Sequence, residues 1–293
     1  MRAGIAPIMI LIAAMLWGTV GTAKTFAPPG VDSISIGAMR LLIGGLVLLI
    51  VAGLMGKMTL KGWPVKLILL AGLSMALFQP FFFTAVSLTG VAVGTVTAIG
   101  SAPVFSGMIE WIVFKTRPAG VWWVSTLLAV VGCIILMFNT GAVTVDPMGI
   151  LSALGAGVSF ASFTILNSQL VRTHHPVASA AMIFSTSALM LLPFVFMYDN
   201  SWLLEPDGML VALHIGVLAT GLAYYLFAGG LKYVKSSTAV TLSLAEPLTA
   251  SLLGVLLVGE ILDIWSWVGL IMLLMGIALL VLQSRKKQVR AGI

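Results

Sequence analysis

The chain has 293 residues, of which 60% are hydrophobic and only 8% are Asp, Glu, Lys or Arg. A soluble domain has about 25% charged residues, so this chain has too few charges to cover a surface in water, and its mean hydropathy of +1.15 agrees. One cysteine, Cys133, excludes an internal disulfide. The composition therefore excludes a soluble enzyme, a secreted disulfide-linked protein and a nucleic-acid-binding domain, and it predicts an all-α membrane protein.

Apolar runs separated by Gly, Pro and charged residues predict ten transmembrane helices, since each crossing needs about 20 apolar residues. In chain order these are Ile5–Ala23, Ile34–Leu54, Val65–Leu88, Val91–Phe114, Val121–Phe138, Met148–Leu170, Val177–Met197, Met209–Leu231, Ser237–Val258 and Ile264–Gln283. The connection between the third and fourth helices, near Thr89 and Gly90, is the least clearly marked by loop residues. Little chain is left over, so we expect no soluble domain.

Charged residues alternate between two sets of loops. One set holds 13 of the 15 Lys and Arg residues: Arg2, Lys57, Lys61, Lys66, Lys115, Arg117, Arg172, Lys232, Lys235, Arg285, Lys286, Lys287 and Arg290. The other set holds Lys24 and seven acidic residues: Asp32, Asp146, Asp199, Glu205, Asp207, Glu260 and Asp263. Because Lys and Arg collect in cytoplasmic loops, this alternation supports ten spans and predicts that both termini are cytoplasmic. The net charge of +6 thus indicates topology rather than an acidic partner.

The two halves of the chain align at an offset of 144 residues. This offset pairs Gly72 with Gly216, Phe83 with Phe227, Thr97 with Thr241, Pro103 with Pro247, Trp123 with Trp267 and Gly132 with Gly276, and an offset of 143 pairs Trp17 with Phe160. Each half has an odd number of helices, so the second half enters the membrane from the opposite face. We expect two inverted five-helix repeats, residues 1–142 (helices 1–5) and residues 143–293 (helices 6–10 with a basic cytoplasmic tail). Secondary transporters use this design.

Short motifs accompany this repeat: Leu16-Trp17-Gly18, Ala38-Met39-Arg40, Leu244-Ala245-Glu246-Pro247, Gly259-Glu260, and Trp267 with Gly269. Together they resemble the EamA domain, the repeated unit of the drug/metabolite transporter superfamily, and the resemblance covers nearly the whole chain. It implies a ten-helix carrier with a central cavity that exports small metabolites or amino acids. The first half departs from the pattern, with Ser101-Ala102-Pro103 in place of Ala245-Glu246-Pro247 and Lys115-Thr116 in place of Gly259-Glu260. The halves therefore need not contribute equivalent groups to a site.

Two ionisable residues lie well inside predicted helices, where a charge costs at least about 2.5 kcal/mol and suggests a function. Glu246 is near the middle of the ninth helix, directly before Pro247, which lacks a backbone donor and can bend the helix. Its carboxylate either titrates or binds an amine in a cavity, or it pairs with a neighbouring helix. Arg40, about two turns into the second helix, either binds a substrate carboxylate or extends to the interface. The nearby helix end favours the second, structural role.

Other titratable residues lie nearer the ends of helices. Glu110 is close to the cytoplasmic end of the fourth helix, a little over a turn before Lys115, which predicts an interfacial or gating ion pair. His214, near the outer end of the eighth helix, has no partner motif and is interpreted as structural. His174 and His175 lie in a cytoplasmic turn and are interpreted as solvated.

Aromatic and polar side chains cluster at membrane depth, and Trp17 lies away from the interfacial belts where Trp normally collects. A buried Trp, Tyr or Gln needs a hydrogen-bond partner, which a cavity supplies through substrate or water. We therefore predict a substrate-binding set of Trp17, Phe78, Gln79, Phe82, Tyr224, Ser243 and Glu246. Further polar contributions are expected from Asn167, Thr97 and Thr220. The alternative for each residue is ordinary packing between helices.

These features predict a secondary transporter that exports small amphipathic metabolites across a bacterial inner membrane by alternating access. Amino acids with an aromatic preference are the favoured substrates, because an aromatic cavity suits ring stacking. Within the superfamily the chain is most similar to the YddG-type exporters of aromatic amino acids. The alternatives are an exporter of multiple drugs or lipophilic cations, and a membrane channel or scaffold without carrier activity.

The sequence contains no Walker-type phosphate loop and no metal-ligand motif. We therefore expect no metal, no cofactor and no enzymatic activity. The expected partners are a small-molecule substrate and membrane lipid, with no nucleic acid. Because both inverted halves are fused in one chain, we expect a monomer.

Overall fold

The computed structural model describes residues 3–58, 62–137, 146–258 and 263–290. Within these ranges the chain forms helices and no strand, which confirms the all-α class. Nine of the described helices are long and apolar enough to cross a membrane, and the apolar stretch Gly120–Leu136 forms a tenth, shorter one. The bounds are α1 Ala6–Lys24, α2 Ser33–Leu54, α3 Val65–Gly90, α4 Val93–Phe114, α5 Gly120–Met137, α6 Pro147–Thr173, α7 Pro176–Met197, α8 Pro206–Leu231, α9 Ser236–Leu257 and α10 Ile264–Arg290.

The helices begin and end within a few residues of the predicted positions, except that α10 continues to Arg290. The connection that the sequence marked least clearly contains no loop. There α3 passes into α4 through Gly90, whose φ of 82° and ψ of 162° break the helical path. Only glycine adopts such angles readily, so a single residue redirects the chain.

Acidic side chains cap three helices that start on one face of the bundle, α2, α6 and α10. Asp32 Oδ1 accepts from the backbone N–H of the first turn of α2, Asp146 Oδ1 accepts two such bonds in α6, and Asp263 Oδ1 accepts one in α10. A side-chain acceptor at this position satisfies N–H groups that the helix leaves unpaired. Since α1 ends at Lys24 on this side, we call it the Lys24 face. The opposite side, where α2 ends before Lys57, is the Lys57 face.

The two halves interlock in pairs that correspond under the repeat. The second helices of each half, α2 and α7, pack together, as do the fifth helices, α5 and α10. Helix α1 packs against α8 and α9, while α6 packs against α3 and α4 in the same way. The predicted boundary between residues 142 and 143 lies outside the described residues. Also outside them are Arg2, Lys61, Gly259, Glu260 and the side chains of the basic tail.

Glycine allows the closest of these contacts. A Cβ atom on Gly132 of α5 would lie 2.6 Å from the Gly269 carbonyl oxygen of α10. In return, a Cβ on Gly276 of α10 would lie 2.6 Å from the Ser125 carbonyl oxygen of α5. Small residues of this kind let helix backbones approach in lipid. The outward surface is apolar instead, with Phe196 81% exposed and Leu256 75% exposed, as lipid contact requires.

Candidate functional site

A cavity of about 410 Å³ lies between the two halves, near the middle of the bundle. All seven residues that the sequence assigned to substrate binding line it: Trp17, Phe78, Gln79, Phe82, Tyr224, Ser243 and Glu246. The lining continues to Lys24 and Ser33 at one end. Because the Lys24 side chain is exposed, the cavity opens toward the Lys24 face.

Aromatic rings close the cavity on the other side. Trp17 packs against Tyr224, Phe227 and Phe160, with ring centroids 4.7, 5.1 and 5.8 Å apart. Tyr224 in turn lies 4.2 Å from Phe184, measured between centroids. Phe227 and Phe184 are fully buried and lie outside the cavity lining, toward the Lys57 face. In this structure the site is therefore accessible from one face and sealed from the other.

A tight turn inside α9 positions Glu246. Pro247 cannot donate to the Ser243 carbonyl, one helical turn earlier, and that carbonyl instead accepts from Glu246 N at 2.9 Å. The Leu244 N–H likewise bonds Thr241, only three residues back. The helix narrows at this point, and the half-buried Glu246 side chain lines the cavity. Of the described lining residues, Glu246 is the one carboxylate.

Close backbone packing holds this turn against α1. A Cβ atom on Gly18 would lie 2.6 Å from the Glu246 carbonyl oxygen and 2.6 Å from Thr249 Cβ. Glycine at this position lets α1 lie directly against α9, next to Trp17. The sequence motif that includes Gly18 therefore has a steric basis.

Arg40 points into the cavity rather than to the interface. Its Nε donates to Thr220 Oγ1 at 3.3 Å, and the side chain lines the cavity. Thr220 belongs to a π-helical segment of α8, His214–Leu222, and donates to the carbonyl of Ile215, five residues earlier. The wider turn is what allows that bond. The prediction that Arg40 extends to the membrane interface was therefore wrong, because its guanidinium group has a partner, Thr220, inside the bundle.

Glu110 has a different partner from the one predicted. Its Oε2 accepts from Ser237 Oγ at 2.6 Å and its Oε1 accepts from Ser237 N at 3.2 Å, so the partner is the start of α9 rather than Lys115. Glu110 is only 7% exposed. A carboxylate at a helix N-terminus satisfies unpaired N–H groups and the helix dipole. Glu110 thus joins α4 of the first half to α9 of the second half near the Lys57 face.

The histidines also have structural contacts. His214 Nε2 lies 2.8 Å from Thr19 Oγ1. Because that hydroxyl donates to the Leu16 carbonyl, the imidazole Nε2 donates, and α8 is joined to α1. The other two histidines are half-buried in the turn before α7: His174 stacks on Trp63 with ring centroids 3.9 Å apart, and His175 caps α7 by accepting from its first turn. Burial first, and then the charges of Lys57 and Lys232, lower the pKa of His175.

The cavity lining includes residues that the sequence did not predict, and it lacks some of the residues that the sequence predicted. Phe160 lines the cavity beside Trp17, and the 143-residue offset that pairs these two residues could have identified it. Ala102, the counterpart of Glu246, also lines the cavity. Asn167, Thr97 and Thr220 do not belong to the lining, although Thr220 contacts the lining residue Arg40.

Comparison with known proteins agrees with this architecture. Residues 4–138 and 147–282 each match the EamA-like transporter family. A protein named uncharacterized transporter YwfM, from Bacillus subtilis (strain 168), is 46% identical over 288 residues, covering 98% of this chain and 97% of that protein. The threonine/homoserine exporter RhtA of Escherichia coli (strain K12) is 28% identical over 269 residues, covering 87% of this chain and 84% of RhtA. A solved crystal structure, 22% identical, has a TM-score of 0.81 and covers 96% of this chain and 98% of that chain, which shows the same fold.

The relatives described here include no named exporter of aromatic amino acids, so the similarity to YddG-type exporters stays a prediction. The family match covers both halves of the chain and implies transport rather than enzymatic catalysis. With its apolar helices, the chain is a multi-pass membrane transporter and belongs to the EamA-like transporter family.

Proposed function

We propose that the protein exports small amphipathic metabolites, foremost amino acids, by alternating access across a bacterial inner membrane. The observation that carries this proposal is the cavity between the two inverted halves, open to one face and sealed by rings on the other. Carriers with inverted repeats place their substrate sites near the midplane and expose them to each side in turn. The exporter RhtA, with its printed substrates threonine and homoserine, supports amino acids as the substrate class.

The orientation follows from the distribution of cations. Because 13 of the 15 Lys and Arg residues belong to the loops and tail assigned to the Lys57 face, that face is cytoplasmic by the positive-inside rule. Both termini are then cytoplasmic, and the open Lys24 face points outward. The structure would correspond to the state that releases an exported substrate. We expect the protein to work as a monomer, since one chain contains both halves.

The lining favours substrates with an aromatic or bulky apolar group. Trp17, Phe78, Phe82 and Phe160 present ring surfaces in the cavity, and aromatic pairs add about 0.5–1.5 kcal/mol beyond area burial. A volume of about 410 Å³ lies in the range of pockets that bind small molecules. An aromatic amino acid is therefore the preferred substrate within the class.

Lipophilic cations are the second candidate, because Glu246 and the surrounding rings could bind them without a substrate carboxylate. The two candidates differ in one chemical group. An amino acid exporter discriminates against the decarboxylated amine of its substrate, whereas a cation exporter accepts that amine.

Counterflow in proteoliposomes tests the proposal. Vesicles preloaded with unlabelled Phe, Tyr or Trp should accumulate the labelled amino acid transiently and saturably, and more strongly than vesicles given Thr or Ala. Flux without saturation or counterflow would indicate a channel, and no flux at all would indicate a scaffold. Equal rates for all five amino acids would remove the aromatic preference.

A matched pair of variants separates carrier flux from leak. Ala250→Trp adds a large side chain within the cavity lining and should abolish counterflow. Leu256→Trp adds the same side chain on the same helix at a lipid-facing position that is 75% exposed, and should leave counterflow unchanged. Equal activity in both variants would mean that substrate does not pass through this cavity.

A further inference from the structure

Two buried hydrogen-bond donors at the cavity have no partner in the protein. They are the indole Nε1 of Trp17, on a side chain 4% exposed, and the amide Nε2 of Gln79, on a side chain 1% exposed. Both side chains line the cavity between the halves. An unpaired donor buried away from water is unfavourable, and an acceptor brought by a ligand removes that penalty.

The two halves contribute groups of opposite polarity to the cavity. Trp17, Arg40 and Gln79, from the first half, offer N–H donors and one positive charge, and Lys24 adds a second positive charge at the open end. From the second half, Glu246 offers carboxyl oxygens as acceptors, while the Ser243 hydroxyl already donates to the Val240 carbonyl. A ligand that suits this arrangement has an acceptor group at one end and a cationic group at the other.

Helix packing holds both donors in place. Trp17 is fixed by ring contacts with Tyr224, Phe227 and Phe160. Gln79 directly precedes Pro80 on α3, and Gly37 of α2 lies so close to it that a Cβ there would be 3.0 Å from Gln79 Oε1. The donors therefore lose little conformational freedom when they bind an acceptor, which favours affinity.

We propose that Trp17 Nε1 and Gln79 Nε2 form a donor pair that binds the substrate carboxylate, while Glu246 faces the substrate ammonium group. This inference rests on the proposed export of amino acids. It specifies that the first half recognises the carboxylate of the zwitterionic substrate and the second half its ammonium group. Arg40, whose Nε donates to Thr220 Oγ1, lines the same cavity. A bound zwitterion then connects the first half to the second.

Three aromatic probes test the donor pair by direct binding to the purified protein. L-Phenylalanine carries both charged groups, hydrocinnamate carries only the carboxylate, and phenethylamine carries only the ammonium group. In Trp17→Phe and Gln79→Met we expect the affinity for L-phenylalanine and hydrocinnamate to fall about tenfold or more. A fall of this size corresponds to the loss of one hydrogen bond to a charged group. Affinity for phenethylamine should fall clearly less than affinity for hydrocinnamate in both variants, and should fall most in Glu246→Gln.

The chain provides matched controls for both substitutions. Trp122 also has an unpaired buried indole N–H, and Asn167 has an unpaired buried amide oxygen, but neither lines the cavity. Trp122→Phe and Asn167→Leu should therefore leave the affinity for all three probes as it is in the parent protein. If Trp17→Phe does not fold, Gln79→Met decides alone.

The outcomes separate the donor pair from the proposed export. Equal losses for all three probes, no loss for any, or no binding of hydrocinnamate by the parent protein would each overturn the donor pair. If hydrocinnamate binds and depends on Trp17 and Gln79 while no amino acid shows counterflow, the donor pair stands and the proposed export is wrong.

Discussion

Removing the Ser237 hydroxyl should weaken the bond between the two halves near the Lys57 face. Ser237 Oγ donates to Glu110 Oε2 at 2.6 Å, while Ser237 N donates to Oε1 at 3.2 Å. Ser237→Ala deletes the shorter bond and keeps the backbone bond. A hydrogen bond to a charged group contributes about 1.5–3 kcal/mol. Since Glu110 is only 7% exposed, water cannot easily replace the lost hydroxyl, and we expect destabilisation within that range.

The single cysteine provides the assay. Cys133 is 1% exposed, so a thiol-reactive fluorophore reports unfolding of the purified protein as temperature rises. At about 2–4 °C per kcal/mol, we expect Ser237→Ala to lower Tm by roughly 3–12 °C. Ser106→Ala is the control, because Ser106 is a fully buried serine on α4, the helix that carries Glu110, and its hydroxyl has no partner.

Ser106→Ala should leave Tm unchanged or raise it slightly, since it removes an unpaired polar group. Equal Tm values for both variants would refute the inference that the Glu110–Ser237 bond stabilises the fold. A larger loss in Ser106→Ala would show that cavity formation, rather than hydrogen bonding, controls the effect of such substitutions.

Two further predictions concern packing and pH. Gly132→Ala should lower Tm by an amount equivalent to about 1–3 kcal/mol, because the added Cβ would lie 2.6 Å from α10 backbone atoms. Gly53→Ala is the control and should be neutral or stabilising, since no atom lies within 4 Å of the added Cβ. Equal effects of the two substitutions would argue against close α5–α10 packing. Burial together with Lys57 and Lys232 lowers the pKa of His175, so the folded state disfavours the protonated form. The resulting stability is present above the unfolded pKa of about 6.5 and is lost as pH falls below it, toward the lower folded pKa. Tm should therefore drop between about pH 7.5 and 5.5, and His175→Asn, which keeps a capping acceptor, should reduce that drop; an unreduced drop would assign it to other groups.

The sequence predicted the helices and much of the cavity lining for one physical reason. In lipid, a polar or charged side chain such as Gln79 or Glu246 is costly, so it stands out against an apolar background and is expected to face a cavity. Trp17 could be selected in the same way, because it lies far from the interfacial belts. Because burying a polar side chain in lipid is costly, its position in an apolar helix can be used to predict where a cavity lies.

Contacts between distant helices could not be predicted in this way. Arg40 faces the cavity because the π-helical segment of α8 places Thr220 beside it, and no local pattern marked that segment. Glu110 was paired with Lys115 because those residues are close in sequence, whereas Ser237 is 127 positions away. The hydrogen-bond partners of Arg40 and Glu110 depend on how the inverted halves pack together. The positions of apolar runs in the sequence do not specify that packing.

The unequal pair of Ala102 and Glu246 has a consequence for the transport cycle. In the proposed alternating-access cycle, exchanging the conformations of the two halves interconverts the two open states, yet the carboxylate always remains with the second half. The two states are therefore not chemical mirror images, and substrate affinity measured from the two sides of the membrane need not agree. Thermodynamic linkage requires any such difference to be balanced by the equilibrium between the empty states. An asymmetric affinity would then reveal which way the unloaded protein prefers to face.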